Sequence, residues 1–432
     1  MDLQQIFSEA IQLHTRGQLE LAKEKYQQVL AALPDNVNVL GNIGIVCRDL
    51  GHLDEALGYC RQAVAGAPHD PTQHLNLGAV YEAANDLVRA RDCYEKSLEL
   101  SPAHPKALNN LGKIFHLQGN AQEALTCFKR ALVVEPQYPL ALNNLGVLLS
   151  EQGEHQSAVE YLQKSHQLDP ANGETLFNLA GVYNCLENKE DACIMLEKLL
   201  SLHPEHASAK HMLAALQGEV TDAAPQEYII ETFDRYAGRF DDHLQGALEY
   251  DVPFVLADML NSIRKKPRFL GCLDLGCGTG LSGSAFSRFS ERMVGVDLSS
   301  KMLEKARKKD IYTHLECEEV LTFLKAEAEK AKYDLFLATD LFIYIGRLDT
   351  FFQAAKKCAS PGALMACSIE RHEGPDAFVL RDSGRYAQRP DYLVDMAERG
   401  GFKVLMNREH GIRKEKKQWI AGNLYILEFM PG

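Results

Sequence analysis

The chain has 432 residues, which suits two or three domains better than one core. Its 59 acidic against 46 basic residues leave a formal charge of −13, which argues against nucleic-acid binding, since phosphate neutralisation needs concentrated Lys and Arg. Eleven scattered cysteines without a C-x-x-C pair indicate neither a metal site nor a disulfide framework, and no apolar run is long enough to span a bilayer.

The amino-terminal residues Asp2-Leu3-Gln4-Gln5 lack the basic-then-apolar pattern of a secretion signal, so the cytoplasm is the expected compartment. Along the first half, Pro34, Pro68, Pro102, Pro136, Pro170 and Pro204 recur every 34 residues. Ala22, Ala56, Ala90, Ala124, Ala158 and Ala192 keep the same period. So do Gly17, Gly51, Gly119 and Gly153, with Asn85 and Glu187 in the two remaining places. Small residues at a fixed place let two helices pack closely, and proline closes each unit because it cannot extend a helix. This pattern resembles tetratricopeptide repeats, six of them over about residues 3–206, with a capping helix over 207–216. The resemblance implies an all-α solenoid over residues 1–217 whose first helices line a groove.

Asn42, Asn76, Asn110, Asn144 and Asn178 recur at the same period in the first helix of each unit, and Asn109 and Asn143 double two of them. Asparagine is a poor interior helix former, so five in register imply some gain. One reading is an amide ladder gripping the backbone of a protein or peptide partner. The others are hydrogen bonds between adjacent repeats, or drift within the repeat consensus.

Residues 218–226 are small and polar and read as a linker to a second domain over 227–432. Phe233-Asp234-x-x-Ala237-x-x-Phe240-Asp241 places two aromatics on one helical face, as a lid or as a helix docked on a sheet. Strands and helices then alternate, the mark of a parallel sheet covered on both faces. Strands are predicted over 270–275, 292–296, 313–317, 333–338 and 363–369, with a closing hairpin over 402–409 and 424–429. Ser299 caps a predicted helix over 301–308.

The first strand runs into Asp274-Leu275-Gly276-Cys277-Gly278-Thr279-Gly280, and Asp297 ends the second strand, seventeen residues past Gly280. This is the strand–Gly loop–helix–strand–acid layout of a nucleoside-binding unit, the acid being placed to take two ribose hydroxyl protons. Gly278-x-Gly280-x-x-Gly283 also satisfies the dinucleotide fingerprint. A carboxylate at Asp274 would repel a pyrophosphate, but it suits a ligand carrying an ammonium and a sulfonium.

The Gly loop resembles the first motif of class I S-adenosylmethionine-dependent methyltransferases, and Val296-Asp297-Leu298-Ser299 their second. With Phe233-Asp234, Ser383-Gly384-Arg385-Tyr386 and Asp391-Tyr392-Leu393, the whole chain resembles bacterial tetratricopeptide repeat-containing methyltransferases. That resemblance implies two domains, the solenoid and then an α/β Rossmann-like domain with a seven-stranded, mostly parallel sheet. It also implies S-adenosyl-L-methionine as cofactor. Asp274, Gly276, Cys277, Gly278 and Gly280 would hold its methionine part and Asp297 its ribose. Leu298 or Met302 would pack on adenine, though Met302 equally suits plain core. Glu318 or Glu319 would read the adenine amino group. Asp340 would mark the loop beneath the methyl donor, and Phe233 would belong to the lid.

For the acceptor, Tyr344, Glu370, His372 and Tyr386 are the candidate bases near the expected mouth. Arg371, Arg381, Arg385 and Arg389 suit a carboxylate or phosphate, or else form a solvated loop. No Asn-Pro-Pro-Tyr-type run follows the fourth strand, which disfavours acceptors recognised that way. Three roles therefore stand: a methyltransferase whose repeats recruit an acceptor or partner, a small-carboxylate methyltransferase whose repeats serve assembly, and a non-catalytic scaffold.

Overall fold

The computed structural model describes residues 2–237, 240–242, 244, 246, 248–265, 267–328, 332–415 and 418–431. The chain divides into two compact units, Met1–Leu186 and Glu187–Gly432.

In the first unit successive helices pack in pairs, beginning with Leu3–Thr15 and Leu19–Ala32. The periodic alanines Ala22, Ala56, Ala90, Ala124 and Ala158 are fully buried where the paired helices meet. The turn positions Gly17, Gly51, Gly119 and Gly153 all take positive φ, and so does Asn85 at φ 59°. Glu187, in the sixth such place, is held at φ 62°, a backbone region that costs a β-carbon residue about 1–2 kcal/mol. A second glycine series at the same period, Gly44, Gly78, Gly112 and Gly146, lies in the first helices and is invisible as a turn signal. A β-carbon at Gly112 would stand 2.6 Å from the Phe128 ring, and one at Gly146 equally close to Leu162. These glycines set how closely the paired helices approach.

The asparagines bond between repeats. Asn144 Nδ2 donates to Asn109 Oδ1 at 2.8 Å, and Asn178 Nδ2 donates to Asn143 Oδ1 at 3.1 Å. Thr175 Oγ1 also donates to Asn143 Oδ1 at 3.2 Å, and Asn109 Nδ2 to Asn110 Oδ1 at 3.3 Å. Asn76 lies over Gly41, where the earlier repeat has no side chain to meet it. Asn42, Asn76, Asn110 and Asn144 are half-buried and Asn178 is buried. At Asn144 and Asn178, then, the helix-propensity cost is offset by neighbour-repeat hydrogen bonds.

The second unit opens with the helices Lys189–Leu202 and Ala207–Gln217. Residues 218–226 are tied down rather than left as a free tether. The Asp222 carbonyl accepts from the Gly346 and Arg347 amides at 2.9 Å, and Ala224 N–H donates to the Tyr344 carbonyl at 3.0 Å. His211 Nε2 bonds the Gly384 carbonyl at 2.9 Å. Composition alone marked this stretch as polar; its partners lie more than a hundred residues away.

The strands are β1 (Cys272–Leu275), β2 (Met293–Asp297), β3 (His314–Cys317), β4 (Tyr333–Ala338), β5 (Ala359–Glu370), β6 (Phe378–Leu380), β7 (Tyr386–Gln388), β8 (Phe402–Glu415) and β9 (Gln418–Phe429). Seven form one sheet in the order β3-β2-β1-β4-β5-β9-β8, and β6 and β7 form a separate hairpin. The first five are parallel, while β9 runs antiparallel to both β5 and β8. All of β1 and β2 is buried, as expected of strands covered on both faces. This is the Rossmann-like sheet expected from the sequence, with two differences. The β6–β7 hairpin occupies what read as a loop, and β8 and β9 extend well beyond the apolar runs that marked them. The extension carries a register irregularity between Gly411 and Lys414, where Ile412 and Arg413 are both buried. Such bulges re-aim side chains.

Candidate active site

Asp274 is the last residue but one of β1, Asp297 ends β2, Glu318 and Glu319 follow β3, Asp340 follows β4 and Glu370 ends β5. After β1 the chain makes a tight turn in which Gly276, Gly278 and Gly280 take φ of 70°, 53° and 86°. The turn is pinned by Gly276 and Cys277 amides donating to the Val296 carbonyl, at 2.8 and 3.0 Å. A β-carbon at Gly278 would meet nothing within 4 Å, so the backbone there faces open space. Cys277 is itself buried, leaving the loop's main chain as its exposed feature.

Asp297 accepts from Gly278 N–H at 2.8 Å through Oδ2 and from Ser299 N–H at 2.9 Å through Oδ1. The acid after β2 thus stands directly against the glycine loop. Burial raises its pKa while these amides and that of Leu298 oppose the rise. Each oxygen keeps a second lone pair for a ligand hydroxyl. Asp274 is fully buried; Oδ2 accepts from Tyr312 OH at 2.7 Å, and Oδ1 is buried without a partner. Desolvation pushes its pKa up to about 7, with Tyr312 and the Gly283 amide opposing and Asp297 adding to the rise. Tyr312 was not singled out from the sequence, because nothing local marks a tyrosine 38 residues on as the partner of Asp274.

Around this pair the predicted residues separate. Leu298 is half-buried, and Met302 is fully buried in the helix Ser300–Lys308. Glu319 caps the helix Val320–Glu327, accepting from the amides of Leu321 and Thr322 at 2.9 and 2.7 Å. Glu318 is exposed. Two helices cross to the same loops: Ser299 Oγ donates at 2.5 Å to Asp234 of Gln226–Tyr236, and Thr279 Oγ1 donates to Asp241 of the short helix Phe240–Asp242. Phe233 packs edge-on to Tyr344, ring centroids 5.5 Å apart. The predicted lid segment therefore touches the loops after β1, β2 and β4.

On the acceptor side, the turn after β4 abuts the glycine loop. Thr339 and Ser282 hydroxyls are hydrogen-bonded, and Leu341 would be 3.3 Å from a β-carbon at Gly276. Asp340 sits between them at φ 53°, its amide donating to Ser368 Oγ at 3.0 Å. Its Oδ2 is 3.3 Å from Arg413, and its Oδ1 is buried without a partner. Arg413 also pairs with Glu370 and Glu415. Arg413 and Glu415 escaped the sequence reading because they lie in the extension of β8, which has no apolar alternation.

Three acceptor-side expectations need correction. Tyr386 is fully buried and its hydroxyl is bonded to Thr221, so it is a packing residue. His372 lies in a separate cleft with Arg371, Glu373, Gly374, Pro375, Arg389, Pro390 and Asp391, which contains no glycine-loop residue. The four arginines are already paired: Arg371 with Glu373 and Glu409, Arg381 with Glu370, Arg385 with Glu415, Arg389 with Asp391. An acceptor carboxylate would have to compete with a resident one. Tyr344, by contrast, does stand beside Phe233 at the end of β4. Among the described residues no group of three or more His, Cys, Asp or Glu could hold a metal ion, and no helix is long and apolar enough to cross a membrane.

Comparison with known proteins agrees with this architecture. Tetratricopeptide repeat models match residues 9–71, 71–134, 104–171 and 149–216, and a methyltransferase domain model matches residues 273–365. The ubiquinone biosynthesis O-methyltransferase of Brucella anthropi is 30% identical over 151 residues, covering 32% of this chain and 61% of that protein. The enzyme of the same name from Nitrobacter winogradskyi is 27% identical over 99 residues, covering 23% and 38%. The chain thus spans less than two thirds of the length of either relative. Among solved structures, the Cut9–Hcn1 hetero-tetramer aligns with a TM-score of 0.48 and 17% identity, over 50% of this chain and 43% of that one. Pseudomonas aeruginosa pilF aligns at 0.43 and 18%, over 49% and 96%. Residues 9–216 thus match tetratricopeptide repeats, and residues 273–365, on the sheet that carries the glycine loop, match a methyltransferase domain.

Proposed function

We propose that the chain transfers a methyl group from S-adenosylmethionine, with the repeats recruiting a protein or peptide that is the acceptor or presents it. The observation that carries the cofactor is the pairing of a bare glycine loop with two acids. The orphaned Oδ1 of Asp274 would take the ammonium, which removes the cost of a buried unpaired carboxylate oxygen. The main chain of Gly276, Cys277, Gly278 and Gly280 would line the methionine part, and Asp297 would hold the ribose hydroxyls. Leu298 offers adenine a partly open apolar face, and Glu318 is the acid left to read its amino group, Glu319 being used as a cap. The bound sulfonium supplies an already activated methyl group, so the protein's contribution is position and exclusion of water. Phe233 and the helix that carries it would provide the exclusion.

For function we divide the chain into a repeat array over 1–217, a junction over 218–226 and a methyltransferase domain over 227–432. The eleven unbridged cysteines fit action in the reducing cytoplasm. Asparagine donors at Asn144 and Asn178 already serve the array, so a partner would meet chiefly Asn42, Asn76 and Asn110. A small carboxylate-bearing acceptor is the weaker reading, because the arginines that would bind it have resident partners.

The test is to incubate cell extract with labelled S-adenosylmethionine and the purified chain, and to resolve the products by mass spectrometry. A labelled product present with the natural chain and missing with Asp297→Ala supports the assignment. Equal labelling by both would remove it.

A further inference from the structure

We propose that Asp340 is the proton acceptor for a neutral hydroxyl on the methyl acceptor, and that Arg413 is the residue that positions it. This rests on the methyltransferase reading and adds the chemical class of the acceptor. Four observations converge. Asp340 follows β4, where Thr339 and Leu341 on either side touch the glycine-loop region. Its backbone is held in the left-handed region, a strain that recurs at functional sites. Arg413, only 2% exposed, holds one carboxylate oxygen at 3.3 Å and leaves the other buried with no partner. Beside the charged group, the same strand-end loop carries Tyr344, in ring contact with Phe233, and the buried Tyr250 hydroxyl meets Thr339 and lies in the field of both Asp340 and Asp274.

A buried carboxylate oxygen without a partner is costly unless a ligand completes it. The ligand group must be a donor. An ammonium is disfavoured there, because the charges of Asp340, Glu370 and Glu415 are already balanced by Arg413, Arg381 and Arg385. A neutral O–H satisfies the oxygen without adding charge. A hydroxyl also needs a base, since it holds its proton at neutral pH, whereas a carboxylate acceptor would not. In the step, the acceptor O–H bond breaks and its proton passes to Asp340 Oδ1. The freed oxygen pair forms the new O–CH3 bond, and the pair of the broken S–CH3 bond stays on sulfur, leaving a neutral thioether. Burial and the neighbouring Glu370 raise the pKa of Asp340, which strengthens it as a base, while Arg413 opposes that rise.

The experiment uses the full chain, S-adenosylhomocysteine for the donor site and 4-nitrocatechol as a chromogenic hydroxyl probe. In the dead-end complex with S-adenosylhomocysteine, the natural chain is expected to bind the probe in its neutral form and raise its apparent pKa above the solution value. Asp340→Asn should return that pKa to or below the solution value and, at a pH below the probe's own pKa, cut its methylation by roughly 10²–10⁴-fold. Affinity for S-adenosylhomocysteine should stay within about twofold. Arg413→Lys, which keeps the charge, should shift the acidic limb of the rate–pH profile, a change that a purely structural ion pair would not produce. Failure of the natural chain to bind S-adenosylhomocysteine would sink the methyltransferase reading itself. Binding of S-adenosylhomocysteine with no uptake of the probe, or an Asp340→Asn variant with unaltered probe pKa and rate, would overturn only the proton-accepting role of Asp340.

Discussion

In the repeat array Asn143 takes hydrogen bonds from Asn178 and Thr175 of the next repeat, whereas in the second unit Asp274 and Asp340 each keep one buried carboxylate oxygen with no partner. Both sets of polar groups are placed by regular structure. The first is satisfied by the next repeat. The second is left open at the carboxyl ends of parallel strands, where the sheet itself has nothing more to offer. Asp274 and Asp340 therefore keep hydrogen-bonding capacity for a ligand where the Asn143 side-chain oxygen is already taken.

That contrast can be broken at several points. Asp297→Ala should lose about 2–4 kcal/mol of S-adenosylhomocysteine affinity, read calorimetrically, and should also lower the thermal midpoint, because the Gly278 and Ser299 amides lose their acceptor. Asp274→Asn should weaken the same binding by about 1.5–3 kcal/mol at pH 8. Its effect on stability should run the other way. The folded-state pKa of Asp274 is raised to about 7, so the carboxyl favours folding while protonated and loses that contribution as pH rises through about 7. The asparagine variant should therefore unfold at a higher temperature than the natural chain at pH 8, by on the order of 5 °C, with the gap closing at lower pH. Cofactor affinity of the natural chain should instead climb as pH rises through the same point, because a cationic ligand prefers the ionised acid.

In the array the signs reverse. Asn143→Leu removes an acceptor shared by two donors and should destabilise the first unit by about 1–3 kcal/mol in urea unfolding, while leaving cofactor affinity unchanged. Gly112→Ala should cost about 1–3 kcal/mol by forcing the Phe128 ring aside. The smallest effect is a gain: Glu187→Gly relieves the left-handed turn and should stabilise by about 0.5–1 kcal/mol.

Features that repeat, or that lie within one strand and its following turn, are legible in the sequence. The six-fold period of proline and alanine, the glycine loop, and Asp297 after a second strand all belong to this group. Boundaries of β8 and β9 are not legible, because their outer halves lack apolar alternation. The polar partners are hidden for a different reason. Tyr312, Arg413 and Glu415 reach Asp274, Asp340 and Arg385 across 38, 73 and 30 residues, and no local pattern encodes such pairs. The arginines mislead in the same way: read alone they invite an anionic ligand, and only the fold reveals the carboxylates already beside them.

The most direct test of the central claim is a crystal structure of the full chain with S-adenosylhomocysteine. The account predicts ribose hydroxyls on Asp297, the ammonium at Asp274 Oδ1, and the ligand main chain over Gly276 and Gly278. A ligand bound elsewhere, or a glycine-loop crevice occupied by protein side chains at saturating ligand, would contradict it.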